Sequence, residues 1–118
     1  MKKLIAVIFF VGFFQIAGFS QQTVAEKQIV INEEIKNELV QHYQFSAELA
    51  NKVLEIENKF YKDKAELELM KASKQVKDQK LHQLHVTRRT QFTDNNIRGR
   101  QLEDAIMVVE KIRLKHQQ

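Results

Sequence analysis

The sequence predicts an all-α chain, an elongated and bent hairpin of about four helices that pairs as a dimer. Three observations lead there. Past residue 20 the chain holds no proline and no cysteine, and Gly99 is its single glycine, so the turn chemistry of β-hairpins is missing. Apolar residues recur at steps of three and four, the spacing of one helix face. The aromatics left after residue 20 are Tyr43, Phe45, Phe60, Tyr61 and Phe92. That is a thin supply for a closed core, which favours extended helices or a partner. With no disulfide available, oligomerisation is the usual substitute in a small exported domain.

The elements follow in order. Residues 1–20, "MKKLIAVIFFVGFFQIAGFS", have the layout of a cleaved export signal. Lys2 and Lys3 give the positive start, residues 4–14 are apolar or glycine, and Gly18 and Ser20 are the small residues ahead of a cut before Gln21. The apolar run is shorter than the roughly 20 residues that span a bilayer, and without cysteine no lipid can be attached to one. A single domain of 98 residues, 21–118, with net charge +2 in place of +4, is therefore expected in the periplasm, with no stable membrane span.

In "TVAE", residues 23–26, a hydroxyl and a glutamate three residues on fit a capping box. A first helix is expected up to Tyr43, with Ile31, Ile35, Leu39 and Tyr43 spaced four apart on one side; it starts at Val24, or residues 24–32 form a loose tail ahead of it. Ser46 is the expected N-cap of a second helix reaching Met70, with Glu48 in its first turn. Its stripe is Leu49, Val53, Ile56, Phe60, Leu67 and Met70, while Glu55, Glu57, Glu66 and Glu68 sit on its solvated faces. "KASKQVKDQK", residues 71–80, is strongly polar, which allows either a bend there with Ser73 or Asp78 as caps or one unbroken long helix. Apolar spacing returns with Leu81 and with Leu84 or His85, then Arg88 and Phe92, and the third helix is expected to stop at "QFTDNN", residues 91–96. Thr93 is expected to cap a fourth helix through Leu102, Ala105, Ile106, Val109 and Ile112, with Gly99 inside its second turn.

Charge is unevenly spread. Residues 21–70 carry six lysines and ten acids, residues 71–100 eight basic residues and two aspartates, and residues 101–118 balance. An acidic second helix beside a basic third would attract in an antiparallel hairpin or across a dimer.

"QFSAEL" from Gln44 and "QFTDNN" from Gln91 repeat one step 47 residues apart. Each reads as a helix start in which a phenylalanine, Phe45 or Phe92, precedes a hydroxyl cap, Ser46 or Thr93, and staples onto the first turn. With "FSAELANKVLEIENKF" and "LHVTRRTQFTDNN", the stretch from Tyr43 to His116 resembles the Spy/CpxP-like periplasmic chaperones, small all-helical exported proteins with a twice-occurring Leu-Thr-x-x-Gln motif. Here Phe45 and Phe92 stand for the leucine, Ser46 for the first threonine, and Leu49 and Asn96 for the glutamine. The resemblance implies a bent helical hairpin, commonly a homodimer, that cradles unfolded or partly folded clients without ATP. Some members of the family act instead as adaptors of an envelope stress sensor or respond to zinc.

Cysteine, a glycine-rich phosphate loop and a nucleophile elbow are all missing, so no catalytic constellation is visible and no cofactor is expected. His82 and His85, three apart on a helix, are the only candidate metal ligands of note, with His42 and His116 in reserve. Arg88, Arg89, Arg98 and Arg100 form a basic run, but export and the lack of interleaved aromatics speak against nucleic acid. The expected client surface, shared with packing, is Val53, Ile56, Phe60, Arg88 and Arg89, where charge and apolar area favour fast, weak capture.

Overall fold

A computed structural model of the chain describes the backbone of residues 15–117 and the side chains from residue 25. The expected export signal thus lies largely outside the described residues. The chain divides into two compact units, Met1–Ile31 and Asn32–Gln118. In the first, helix α1 (Gln15–His42) is already formed at Gln15 and passes through Thr23. Residues 23–26 are therefore mid-helix rather than a capping box, because no glycine or proline after Gly18 interrupts the run. Ile29 and Val30 are exposed on it.

The second unit holds the end of α1, then α2 (Ala47–Leu69), α3 (Lys74–Asp94) and α4 (Gly99–Lys115). All described secondary structure is helical, as expected. Ser46 caps α2 as the sequence implies: with φ −72° and ψ 161° it sits outside the helix, and its hydroxyl accepts from the Leu49 N–H at 3.0 Å. Ser73 does the same for α3, accepting from Val76 N–H at 3.2 Å. The polar stretch is therefore a break between helices, and Asp78 is no cap but a partner of the Lys74 ammonium at 2.9 Å.

The second copy of the repeated step behaves differently from the first. Gln91, Phe92 and Thr93 lie inside α3, and the Thr93 hydroxyl donates back to the Arg89 carbonyl at 2.7 Å instead of capping a new helix. "QFTDNN" is a helix end. Asn96 turns into the left-handed region at φ +63°, its N–H reaches the Thr93 carbonyl, and the Ile97 N–H reaches the Phe92 carbonyl, both at 2.9 Å. This is a Schellman stop, and it carries the apolar contact such stops favour, since Phe92 and Ile97 are both fully buried. The matching stop in the first copy has Gln44 at φ +62° and the Phe45 N–H on the Leu39 carbonyl at 3.1 Å. Phe45 thus corresponds in the fold to Ile97, and Ser46 to Arg98, the residue ahead of α4. Arg98 makes no side-chain cap bond, and Gly99 is the first residue of α4 at φ +59°, not an interior one.

Side-chain pairs fix the topology. Glu57 with Arg88, Phe60 with His85, and the Glu68 carbonyl with the Lys77 ammonium are three rungs of one antiparallel ladder closing on the turn at residues 70–73. α1 runs antiparallel to α4, with Glu34 bound to Lys115 and His116 and Glu38 to Lys111. Asn58 of α2 donates to the Asn32 side-chain oxygen of α1 at 3.2 Å across the turn at residues 43–46, so α1 is antiparallel to α2 as well and α4 runs parallel to α2; the Arg113 guanidinium donates to the Asn58 side-chain oxygen at 3.0 Å and lies 4.1 Å over the Tyr61 ring. The core between them is Ile35 and Leu39 of α1, Ala50, Val53, Ile56 and Phe60 of α2, Phe92, Ile97, and Leu102, Ala105, Val108, Val109 and Ile112 of α4. Three stripe positions depart from expectation. Ala50 is buried where Leu49 is only half-buried, Val108 where Ile106 is, and Met70 is an exposed C-cap. Because α4 ends beside Tyr61, α2 beyond that residue faces α3 alone among the helices of this unit.

Candidate functional site

Just before the stretch where, among the helices of this unit, α2 faces α3 alone, the two helices are joined by a buried ion pair. Glu57 is 1 % exposed, not on a solvated face, and its carboxylate accepts from the Arg88 guanidinium at 3.2 and 3.4 Å. The signal was in the spacing: Glu57 is one turn on from Val53 and one turn before Phe60, and Arg88 occupies a stripe position of α3. Two opposite charges on facing apolar stripes have to meet each other. Burial raises the Glu57 carboxyl above its ordinary range, and the attraction of Arg88 works against that rise.

Arg88 is also held from two other sides. Its guanidinium lies 3.9 Å above the Phe60 ring, a cation–π contact out of water. Its second terminal nitrogen is 3.1 Å from His85 Nδ1. Since a guanidinium only donates, Nδ1 must be the acceptor and the ring's proton sits on Nε2. Partial burial first, and then the charge of Arg88, lower the His85 pKa. The His85 ring stacks at a tilt against Phe60, with centroids 5.1 Å apart. Tyr61 meets the other side of Phe60 edge-on and carries Arg113 on its face. Burial raises the Tyr61 phenol and lowers the Arg113 guanidinium.

Past this clamp the two helices enclose an open groove of about 330 Å³. Leu67, Met70 and Leu84 form its apolar lining, and Asp63, Glu66, Lys80, Gln83 and Thr87 its rim. Lys77 closes the far end by donating to the Glu68 carbonyl at 3.1 Å. To a ligand the groove offers apolar contact ringed by charges of both signs and by amides, at the size of one or two side chains.

The expected site residues are divided between core and surface. Val53, Ile56 and Phe60 are in the core and Arg88 is in the buried clamp, so they pack the molecule; of the five, Arg89 alone is exposed, in a loose 3.5 Å pair with Glu103. The cap motif residues Phe45 and Ser46 do what the sequence says, whereas Phe92 and Thr93 end a helix. His82 and His85 do not converge with other ligands: His85 is committed to Arg88, and His116 to Glu34 at 2.7 Å. Among the described residues no group of three or more His, Cys, Asp or Glu is placed to hold a metal ion. Nor is any described helix long and apolar enough to cross a membrane. Sequence reasoning missed Glu57 and the groove; the groove's apolar members were visible as stripe residues, but that α4 would end beside Tyr61, short of them, was not.

No protein-family model matches the chain, and neither does any curated protein or solved structure.

Proposed function

We propose that the chain is an exported, ATP-independent chaperone that holds short apolar segments of unfolded or partly folded proteins, working as a homodimer in the periplasm. The observation that carries this reading is the open groove between α2 and α3, whose apolar lining is Leu67, Met70 and Leu84 and to which no other helix of the unit Asn32–Gln118 contributes a lining residue. A rim of two acids and a lysine around a shallow apolar floor suits weak, sequence-tolerant capture: charge speeds encounter, and the small area keeps release fast. The layout of residues 1–20 and the resemblance to Spy/CpxP-like chaperones support the same reading. The buried Glu57–Arg88 clamp would then set how far the two helices spread.

The test is suppression of aggregation. The chain from Gln21 should keep a chemically denatured substrate soluble at near-stoichiometric ratio, and Met70→Glu with Leu84→Gln should lose most of that protection while the helical circular dichroism is unchanged. Failure to protect at a several-fold excess sinks the proposal. Photo-crosslinking from the groove to one folded partner, rather than to many unrelated proteins, would replace it with an adaptor role.

A further inference from the structure

The turn between α2 and α3 has features that neither folding nor the groove explains. Residues 68–76 are exposed without interruption. At their centre Leu69 is 84 % exposed, with Met70 and Val76 also at the surface. Around them stand Lys71, Lys74, Lys77 and Lys80, so that residues 68–80 carry four lysines against Glu68 and Asp78, net +2. Lys74 and Lys77 occupy the opening turn of α3, which has no acidic residue, although the helix dipole disfavours cations there. Lys74 pairs with Asp78 and Lys77 with the Glu68 carbonyl, but no such contact accounts for the bare leucine or for Lys71. The turn is nevertheless fixed in shape: Ser73 caps α3, and the Met70 N–H bonds the Leu67 carbonyl at 3.1 Å.

We propose that this turn is a docking surface for an anionic phospholipid bilayer. Leu69 and Met70 enter the headgroup boundary, and the lysines, long enough to reach outward from both helix ends, rest on the phosphates. The turn shares Met70 and Lys80 with the groove, so lipid and client would compete there, but lipid binding does not require that the groove take clients. A bilayer fits better than a peptide because Leu69 projects with almost its whole side chain in solvent, where a peptide would need a walled cleft of the kind found at the groove. It fits better than a nucleic acid because residues 66–80 contain no aromatic side chain to stack on a base. Each ammonium near an anionic surface strengthens binding roughly fivefold, and one buried leucine adds about tenfold or more.

Co-sedimentation with vesicles tests this, using the chain from Gln21, which contains the whole of the unit Asn32–Gln118, so that the apolar leader cannot itself insert. Binding is expected to vesicles of phosphatidylcholine with phosphatidylglycerol and to be far weaker with phosphatidylcholine alone. Leu69→Glu should weaken it about tenfold or more, and Lys71→Gln with Lys80→Gln should weaken it and flatten its salt dependence, with thermal melts of both variants unchanged. No binding to either vesicle overturns the proposal. So does binding that salt abolishes but Leu69→Glu leaves intact, which is bulk charge attraction. If Leu69→Glu instead removes protection in the aggregation assay and vesicle binding is absent, the turn serves peptides and the lipid assignment is wrong.

Discussion

At the scale of single residues, three backbone positions decide where helices stop and restart. Gln44 and Asn96 hold left-handed φ values of 62° and 63°, and Gly99 holds 59°. For an L-residue other than glycine that conformation costs roughly 1–2 kcal/mol, less for asparagine. Gln44→Gly is therefore expected to stabilise the chain by about 1 kcal/mol in urea unfolding, and Asn96→Gly by less. Gly99→Ala should destabilise by about 1–2 kcal/mol although nothing lies within 4 Å of the added carbon, so the cost is backbone strain alone. A neutral Gly99→Ala would show that α4 begins elsewhere. These positions also mark what could be read from the sequence. Ser46 and Ser73 were legible as caps because a hydroxyl before a helical run has few other uses. Thr93 has the same neighbours but sits one turn before a stop, and the stop depends on Asn96 adopting a conformation open to several residue types.

Between elements, the seam of α2 and α3 is anchored by a charge pair where the other helices use apolar side chains. Removing either partner leaves a buried, uncompensated charge, so Glu57→Leu or Arg88→Met alone should cost about 3–5 kcal/mol. Replacing both together should return to within about 1 kcal/mol of the parent, or exceed it, because two apolar side chains of similar volume avoid the desolvation. The Arg88 Nε is buried with no hydrogen-bond partner, which adds to what the double replacement relieves. Urea unfolding of the four proteins gives the coupling directly; additive single costs would mean that the pair contributes nothing as a pair. If the clamp governs how far α2 and α3 spread, the double variant should also protect clients differently at equal stability. α3 was assigned from a weak stripe in which Arg88 filled an apolar position. The pairing that makes sense of it is a tertiary fact, set by the antiparallel register with α2.

For the whole unit from Asn32 onward, two carboxylates make stability depend on pH in opposite senses. Glu34 accepts from Lys115 and His116, and those bonds hold its pKa below the ordinary range. Below about pH 4 the unfolded chain takes up this proton first, so stability falls as pH falls through the depressed value. Glu57 is pushed the other way, chiefly by burial, so the folded chain keeps its proton to higher pH than the unfolded one. Its contribution is complete below the ordinary glutamate range and is lost as pH rises through the raised value. The parent should thus lose stability on the acid side through Glu34, while toward neutral pH the loss through Glu57 is opposed by His85, whose lowered pKa makes stability rise as pH rises through the imidazole range. In urea melts from about pH 3 to about pH 7, Glu34→Gln should flatten the acid side alone, and Glu57→Gln should remove the loss toward neutral pH and leave the rise through His85, the amide oxygen introduced by the second change still offering Arg88 an acceptor. Two variant curves that merely run parallel to the parent would mean that neither carboxylate titrates differently on folding. Both the α1–α4 contact and the α2–α3 clamp would then lack the geometry described.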